Sequence, residues 1–256
     1  MQGESYTIII GNYKHMKEAL IIAHKELKTF FDSLIAYILI IIFLGMSGFF
    51  TWLFGSDVFF VGQATLQPFF SIAYWTLFFF IPALTMKMLS EERRSGTLEL
   101  LLTKPVSDWQ VVIGKFIACL ELIGIALFFT LPYYITVSFI GPVDHGAVIS
   151  GYVGMLLIST ALISIGLFAS SITNNQIVAF LLSLLIGVFF LIIFDVLSNN
   201  FLGWFGQFLS YLSMSTHYES ISRGVIDSRD ILYFGSICFV GLFLAETVLS
   251  KRNIVE

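Results

Sequence analysis

Six apolar runs, each close to the length that crosses a bilayer, leave this chain few folds to choose from. A hydrocarbon core about 30 Å thick takes about 20 apolar residues as a helix. The runs are Leu34–Phe54, Phe69–Met86, Val111–Ile140, Val148–Ser171, Ile177–Phe194 and Ile231–Leu249. Of the 256 residues, 57% are hydrophobic and 12% charged, too few charges to cover a soluble globule of this size. The expected fold is an all-α integral membrane domain occupying residues 1–256, with six transmembrane helices. No internal repeat, low-complexity tract or separate soluble domain stands out.

Orientation follows from the basic residues in the short connections, which are held on the cytoplasmic side during insertion. With six spans and the N-terminus inside, the cytoplasmic segments carry Lys14, Lys17, Lys25, Lys28, Lys87, Arg93, Arg94, Lys104, Lys251 and Arg252, whereas the outside segments carry Arg223 and Arg229. Both termini are therefore expected to be cytoplasmic. No short apolar core before a small-residue cleavage site marks a signal peptide, so the first run is expected to stay as an anchor. The net charge of -4 gives no electrostatic case for nucleic acid.

Outside the spans, residues 13–31 read as a separate helix. Tyr13, Met16, Leu20, Ala23, Leu27 and Phe30 recur at helical spacing while Lys14, Lys17, Glu18, Lys25 and Lys28 take the other faces, the pattern of an amphipathic helix in the headgroup plane, with Asn12 as its cap. The loop 87–110 is denser in signals. Ser95-Gly96-Thr97 offers a turn and a helix start, Leu98, Leu101 and Leu102 give an apolar face, and Pro105 stops the helix. Ser107-Asp108-Trp109-Gln110 reads as a capping box that starts span three at Asp108. Pro132 predicts a kink in that span. Beyond span five, Trp204–Leu212 suits a helix dipping into the far interface. Thr216–Glu219 reads as a second capping box, with Gly224 closing the helix and Asp227 capping span six. Gly166 and Ser170 belong to a line of small residues predicting that span four packs centrally.

The chain lacks the parts of a nucleotide site. Gly114-Lys115 is followed by Phe116, and the earlier glycine of a phosphate-binding loop would fall at Trp109. HExxH, GxSxG and CxxC are absent, and His15, His24, His145 and His217 are scattered, so no metal cluster is expected. Cys119 and Cys238 lie in apolar runs and read as packing residues. Glu121 falls about 20 Å into span three, where a carboxylate is costly. It is expected either to line a substrate path or to make a buried polar contact with a Ser, Thr or Tyr on a neighbouring span.

The run Glu91-Glu92-Arg93-Arg94-Ser95-Gly96-Thr97-Leu98-Glu99-Leu100-Leu101-Leu102-Thr103-Lys104-Pro105, followed by Gly114-Lys115, resembles the signature loop of ABC-2 type permeases, the membrane subunits of one class of ATP-driven transporters. His217–Asp230 resembles the subgroup of gliding-motility-associated permeases (GldF-like) and nitrous-oxide-reductase maturation permeases (NosY-like). The resemblance implies a permease without a nucleotide site of its own, driven by a separate ABC ATPase that binds ATP and Mg, in a bacterial inner membrane. It also implies pairing with a second permease copy or paralogue and, for the gliding relatives, a membrane protein with a large periplasmic domain. Leu98–Thr103 would be the coupling helix docked on the ATPase, and Glu91, Glu92, Arg93, Arg94, Gly96, Thr97, Glu99 and Pro105 the coupling loop. Readings of another class are an intramembrane lipid-acting enzyme using Glu121, or His217 with Glu219, and a scaffold that transmits the ATPase stroke to a periplasmic partner.

Overall fold

Each apolar run forms helix, and short polar side chains decide where several of them begin. The computed structural model describes residues 2–53, 58, 62–96 and 106–252, and within these the side chains from Lys17 to Lys251. Helices α1 (Gln2–Asp32), α2 (Ile35–Trp52) and α3 (Gln67–Thr85) are followed by a turn and the short α4 (Ser90–Ser95). The third span is α5 (Asp108–Phe128) plus α6 (Leu131–Ile140), and the fourth is α7 (His145–Ile172). The fifth is α8 (Gln176–Val188), a π-helical turn (Phe189–Ile193) and α9 (Phe194–Asn200). Then come α10 (Trp204–Leu212), α11 (Met214–Ser222) and the sixth span, α12 (Ser228–Arg252). The described residues contain no strand.

The starts are set by side-chain oxygens that accept otherwise unpaired N–H groups. Ser107 Oγ accepts from the Gln110 N–H while Gln110 Oε1 accepts from the Ser107 N–H at 2.7 Å, the reciprocal box expected before span three. Asp144 Oδ1 caps α7 and Asn175 Oδ1 caps α8. Asp227 Oδ1 accepts from the Arg229 N–H at the start of α12, as expected. Pro132 breaks span three, and the interruption falls at Phe129–Thr130 with the proline in the first turn of α6.

Three expectations are corrected. Asn12 does not cap α1, because the helix continues through it from Gln2 to Asp32; that helix packs on the bundle through Ala19, Ala23 and Phe30 and leaves Leu20 and Ile21 exposed, a close approach to α5 favouring small residues over bulky ones. Span five does not end at Phe194: the helix runs on to Asn200, where Ser198, Asn199 and Asn200 turn their side chains back onto carbonyls of the preceding turn. The helix expected to start at Thr216 starts at Met214, because Ser213 Oγ accepts the Thr216 N–H. Gly224, at φ 99°, lies just beyond the end of that helix.

Inside lipid, helices gain little from removing apolar surface from water, so association rests on close packing and interhelical hydrogen bonds. Helix α7 occupies the centre and packs against α3, α5, α8, α11 and α12. Its small residues face the neighbours: Gly166 lies against Thr85 of α3, and Ser164 against Gly241 of α12. The chain is thus a bundle around span four, with α1 laid along α5 at one end and α10 and α11 at the other. The corner from α1 into α2 is made by Leu34 at φ 61°, a backbone conformation that costs a leucine about 1–2 kcal/mol. Replacing Gly166 by Val drives a side chain into Thr85 and is expected to cost about 1–3 kcal/mol through overpacking, read as a lower unfolding temperature with helix content retained.

Candidate functional site

The charged sequence Glu91-Glu92-Arg93-Arg94 is not a solvated linker but the short helix α4, an elbow continuing from span two after the Met86–Leu89 turn. A helix this short, following a turn, has few ways to satisfy its first N–H groups, and its N-cap residue Leu89 offers none. Ser170 of α7 supplies the cap from across the bundle. Its Oγ accepts from the N–H groups of Leu89 and Ser90, each at 3.1 Å, and donates to the Met86 carbonyl at 2.9 Å. One buried hydroxyl thereby satisfies three backbone groups of the turn. At its other end α4 is stopped by Gly96, whose φ of 69° is the left-handed geometry a glycine adopts at little cost.

Helical spacing then divides the four charges between two faces. Arg93 Nη1 donates to the Ser171 carbonyl at 2.6 Å, a cation at the carbonyl end of α7. Glu92 Oε1 accepts from Lys115 Nζ of α5 at 2.7 Å. Glu91 and Arg94 are exposed on the opposite face. Lys115 is only 1% exposed and also lies 3.4 Å from Glu26 Oε1 of α1. A buried ammonium is tolerated when carboxylates surround it, and here two elements each bring one.

Helix α1 is fastened to the same place. Gln110 Nε2 donates to Glu18 Oε2 at 2.7 Å, and Lys87 Nζ stands 5.6 Å from the centroid of the Phe30 ring. Gly114 lets the helices touch: a Cβ there would fall 2.7 Å from Ile22 Cβ and 2.8 Å from the Ala19 carbonyl oxygen. Residues 18, 22 and 26 of α1 therefore meet 110, 114 and 115 of α5, and the elbow locks onto the last of these contacts. The knot joins α1, the elbow, the start of span three and the end of span four.

A family model described as "ABC-2 family transporter protein" matches residues 20–249. The chain belongs to the ABC-2 transporter family. It is a transmembrane permease component, and the family implies an ABC ATPase as its partner. Comparison with curated proteins finds no match. Within the ABC-2 signature loop, Glu91, Glu92, Arg93, Arg94 and Gly96 sit on or beside α4 as described, whereas Thr97, Glu99 and Pro105, with the whole expected coupling helix Leu98–Thr103, lie outside the described residues. Sequence reasoning missed Glu26, read Glu18 only as part of a polar helix face, Ser170 only as a small packing residue and Lys115 only as part of a motif. The legible signal was a lone lysine inside span three and an N-terminal helix with carboxylates at i and i+8.

Glu121 differs from the expected buried contact. Ala118, Cys119, Leu122, Ile123 and Ala126 turn inward, which leaves Glu121 on the opposite, exposed face of α5, with no hydrogen bond or ion pair among the described residues. His217 and Glu219 do not converge either. The imidazole is stacked on Tyr233 with Nδ1 2.6 Å from Asp230 Oδ1, while Glu219 pairs with Arg223 at the surface. Among the described residues no group of three His, Cys, Asp or Glu side chains could hold a metal ion.

Lys115→Met keeps the side-chain length and removes the charge, stranding two carboxylates in a mostly buried place. A loss of about 3 kcal/mol is expected in unfolding measurements on the purified protein. Adding Glu26→Gln and Glu92→Gln is expected to recover much of it, because the penalty comes from the stranded charges; no recovery would show that the lysine acts by packing alone.

Proposed function

We propose that this permease converts the movement of a separate ABC ATPase, which binds ATP and Mg, into movement of its spans through the elbow at residues 90–105. The observation that carries the reading is the two-faced α4: Glu92 and Arg93 are bonded into the bundle, while Glu91 and Arg94 are presented outward beside the segment that resembles the family's coupling helix. A partner that grips the outward face and the following segment pulls on spans two, three and four and on α1 together. By the family resemblance, Gly96, Thr97, Glu99 and Pro105 are counted with the residues the ATPase would grip. Its concentration of basic residues supports a cytoplasmic elbow and cytoplasmic termini in a bacterial inner membrane.

The second permease is another copy of this chain or a paralogue. Glu121, on an outward face of span three, borders a translocation path only where such a neighbour covers it. The resemblance of residues 217–230 favours a gliding-motility-associated system, with a partner bearing a large periplasmic domain, over a NosY-like role in copper-enzyme maturation.

The two arginines separate the roles of the two faces. Arg94→Glu is expected to leave membrane insertion and thermal stability unchanged while reducing copurification of the ATPase and transport-linked ATPase activity at least about tenfold. Arg93→Glu is expected to lower stability as well, since it places a carboxylate against the Ser171 carbonyl. If Arg94→Glu copurifies the ATPase and supports full activity, the outward face is not the grip.

A further inference from the structure

At the end of the bundle opposite the elbow, a cavity of about 370 Å³ opens between α3, the π-helical turn of span five with α9, and α11. Its walls include Tyr74, Trp75, Asp195 and Glu219. We propose that this cavity binds a cationic ammonium group, with Asp195 as counter-charge and Trp75 and Tyr74 as the aromatic wall.

The argument rests on what the lining can still offer. Tyr74 donates to Ser215 Oγ at 2.7 Å, and Ser215 donates to the Leu191 carbonyl at 2.6 Å. Gln67 Nε2 donates to the Ser222 carbonyl at 2.8 Å, and Tyr218 donates to the Phe70 carbonyl. These donors are committed to holding the walls together, and the Ser71 hydroxyl and the Trp75 indole N–H are the side-chain donors of the lining without a bond among the described residues. Two carboxylates face the same space and no basic side chain lines it. Glu219 is answered by Arg223 at 3.0 Å on the rim, with both side chains well exposed. Asp195 is half-buried and its carboxylate has no partner among the described residues.

The site therefore offers negative charge, an acceptor and π faces but few donors. Anions and sugars, which need donors, are poorly served; a quaternary or tertiary ammonium, which needs none, is well served. Metal ions are disfavoured by the want of a third ligand. The π-helical turn, a feature common at functional sites, precedes Asp195 and shifts its register relative to a plain helix. Tyr74 is held edge-on to Trp75, with ring centroids 5.4 Å apart, and stacked on Tyr218 at 4.8 Å, so the wall is fixed in advance.

That a bound cation is cargo rests on the transport reading; that it binds does not. The test uses the full chain without its ATPase, in nanodiscs of phosphatidylglycerol, with choline as probe and 3,3-dimethylbutan-1-ol as its uncharged isostere. Choline is expected to raise the unfolding temperature saturably and the isostere is not. Asp195→Asn and Trp75→Leu are each expected to weaken choline at least about tenfold while eluting as folded protein. Discs of phosphatidylcholine distinguish the source of the cation: loss of the choline response there identifies a lipid headgroup as occupant, and its persistence a free ammonium compound. Equal responses to choline and the isostere, no saturable response to choline, or an unchanged response in Asp195→Asn overturns the proposal. A failure of the coupling reading would appear instead as an ATPase indifferent to Arg94→Glu, with choline binding untouched.

Discussion

A single ammonium group, Lys115 Nζ, holds the working end of this permease together. It is buried where three elements meet, with Glu92 coming to it from the elbow and Glu26 from α1. Remove the charge and both carboxylates lose their reason to be buried. The neighbouring contacts have the same logic on a smaller scale: Ser170 caps a helix in another part of the chain, and Arg93 closes the carbonyl end of span four. Each interaction joins elements that are distant in sequence. Under the proposed coupling role, a push on the elbow would therefore be delivered to α1, span three and span four at once.

This arrangement suits a membrane protein because apolar contacts between helices are weak discriminators in lipid, where tails and side chains are alike. The spans are packed by small residues on α7, while position along the bundle axis is fixed at the ends by polar contacts. At the far end the same device recurs, with His217 clamped between Asp230 and the Tyr211 carbonyl and stacked on Tyr233. The cavity beside Asp195 lies at this same far end, walled by spans two and five and by α11, which packs on the central span. Movement relayed from the elbow through α3 would change the shape of that cavity.

Much of the fold is legible in the chain because its signals are local. Span number follows from run length, the start of span three from a serine and a glutamine three residues apart, its break from Pro132, and a turn from Ser95-Gly96-Thr97, although the short helix that ends there was not read. What stayed hidden depends on partners far away in sequence. No local rule pairs Lys115 with Glu26, or makes Ser170 the cap of a turn more than 80 residues earlier. The docking face of α1 was not read at all: the apolar periodicity pointed to a helix in the headgroup plane, whereas the helix approaches α5 through alanines. Glu121 was hard to orient for a related reason: a span apolar on every side carries little information about which face turns inward. Its carboxylate lies about 9 Å along the helix from Lys115, outside the knot.

The central claim is that the elbow and α1 move as one body. Spin labels at the exposed positions Lys28 of α1 and Ser95 of α4, in the complete complex with its ATPase, report their separation with and without nucleotide. The account predicts one narrow distance distribution that nucleotide leaves unchanged, and that Lys115→Met broadens. A wild-type distance that shifts when nucleotide binds would contradict it, because the elbow would then be moving past α1 and the buried lysine would not be the joint.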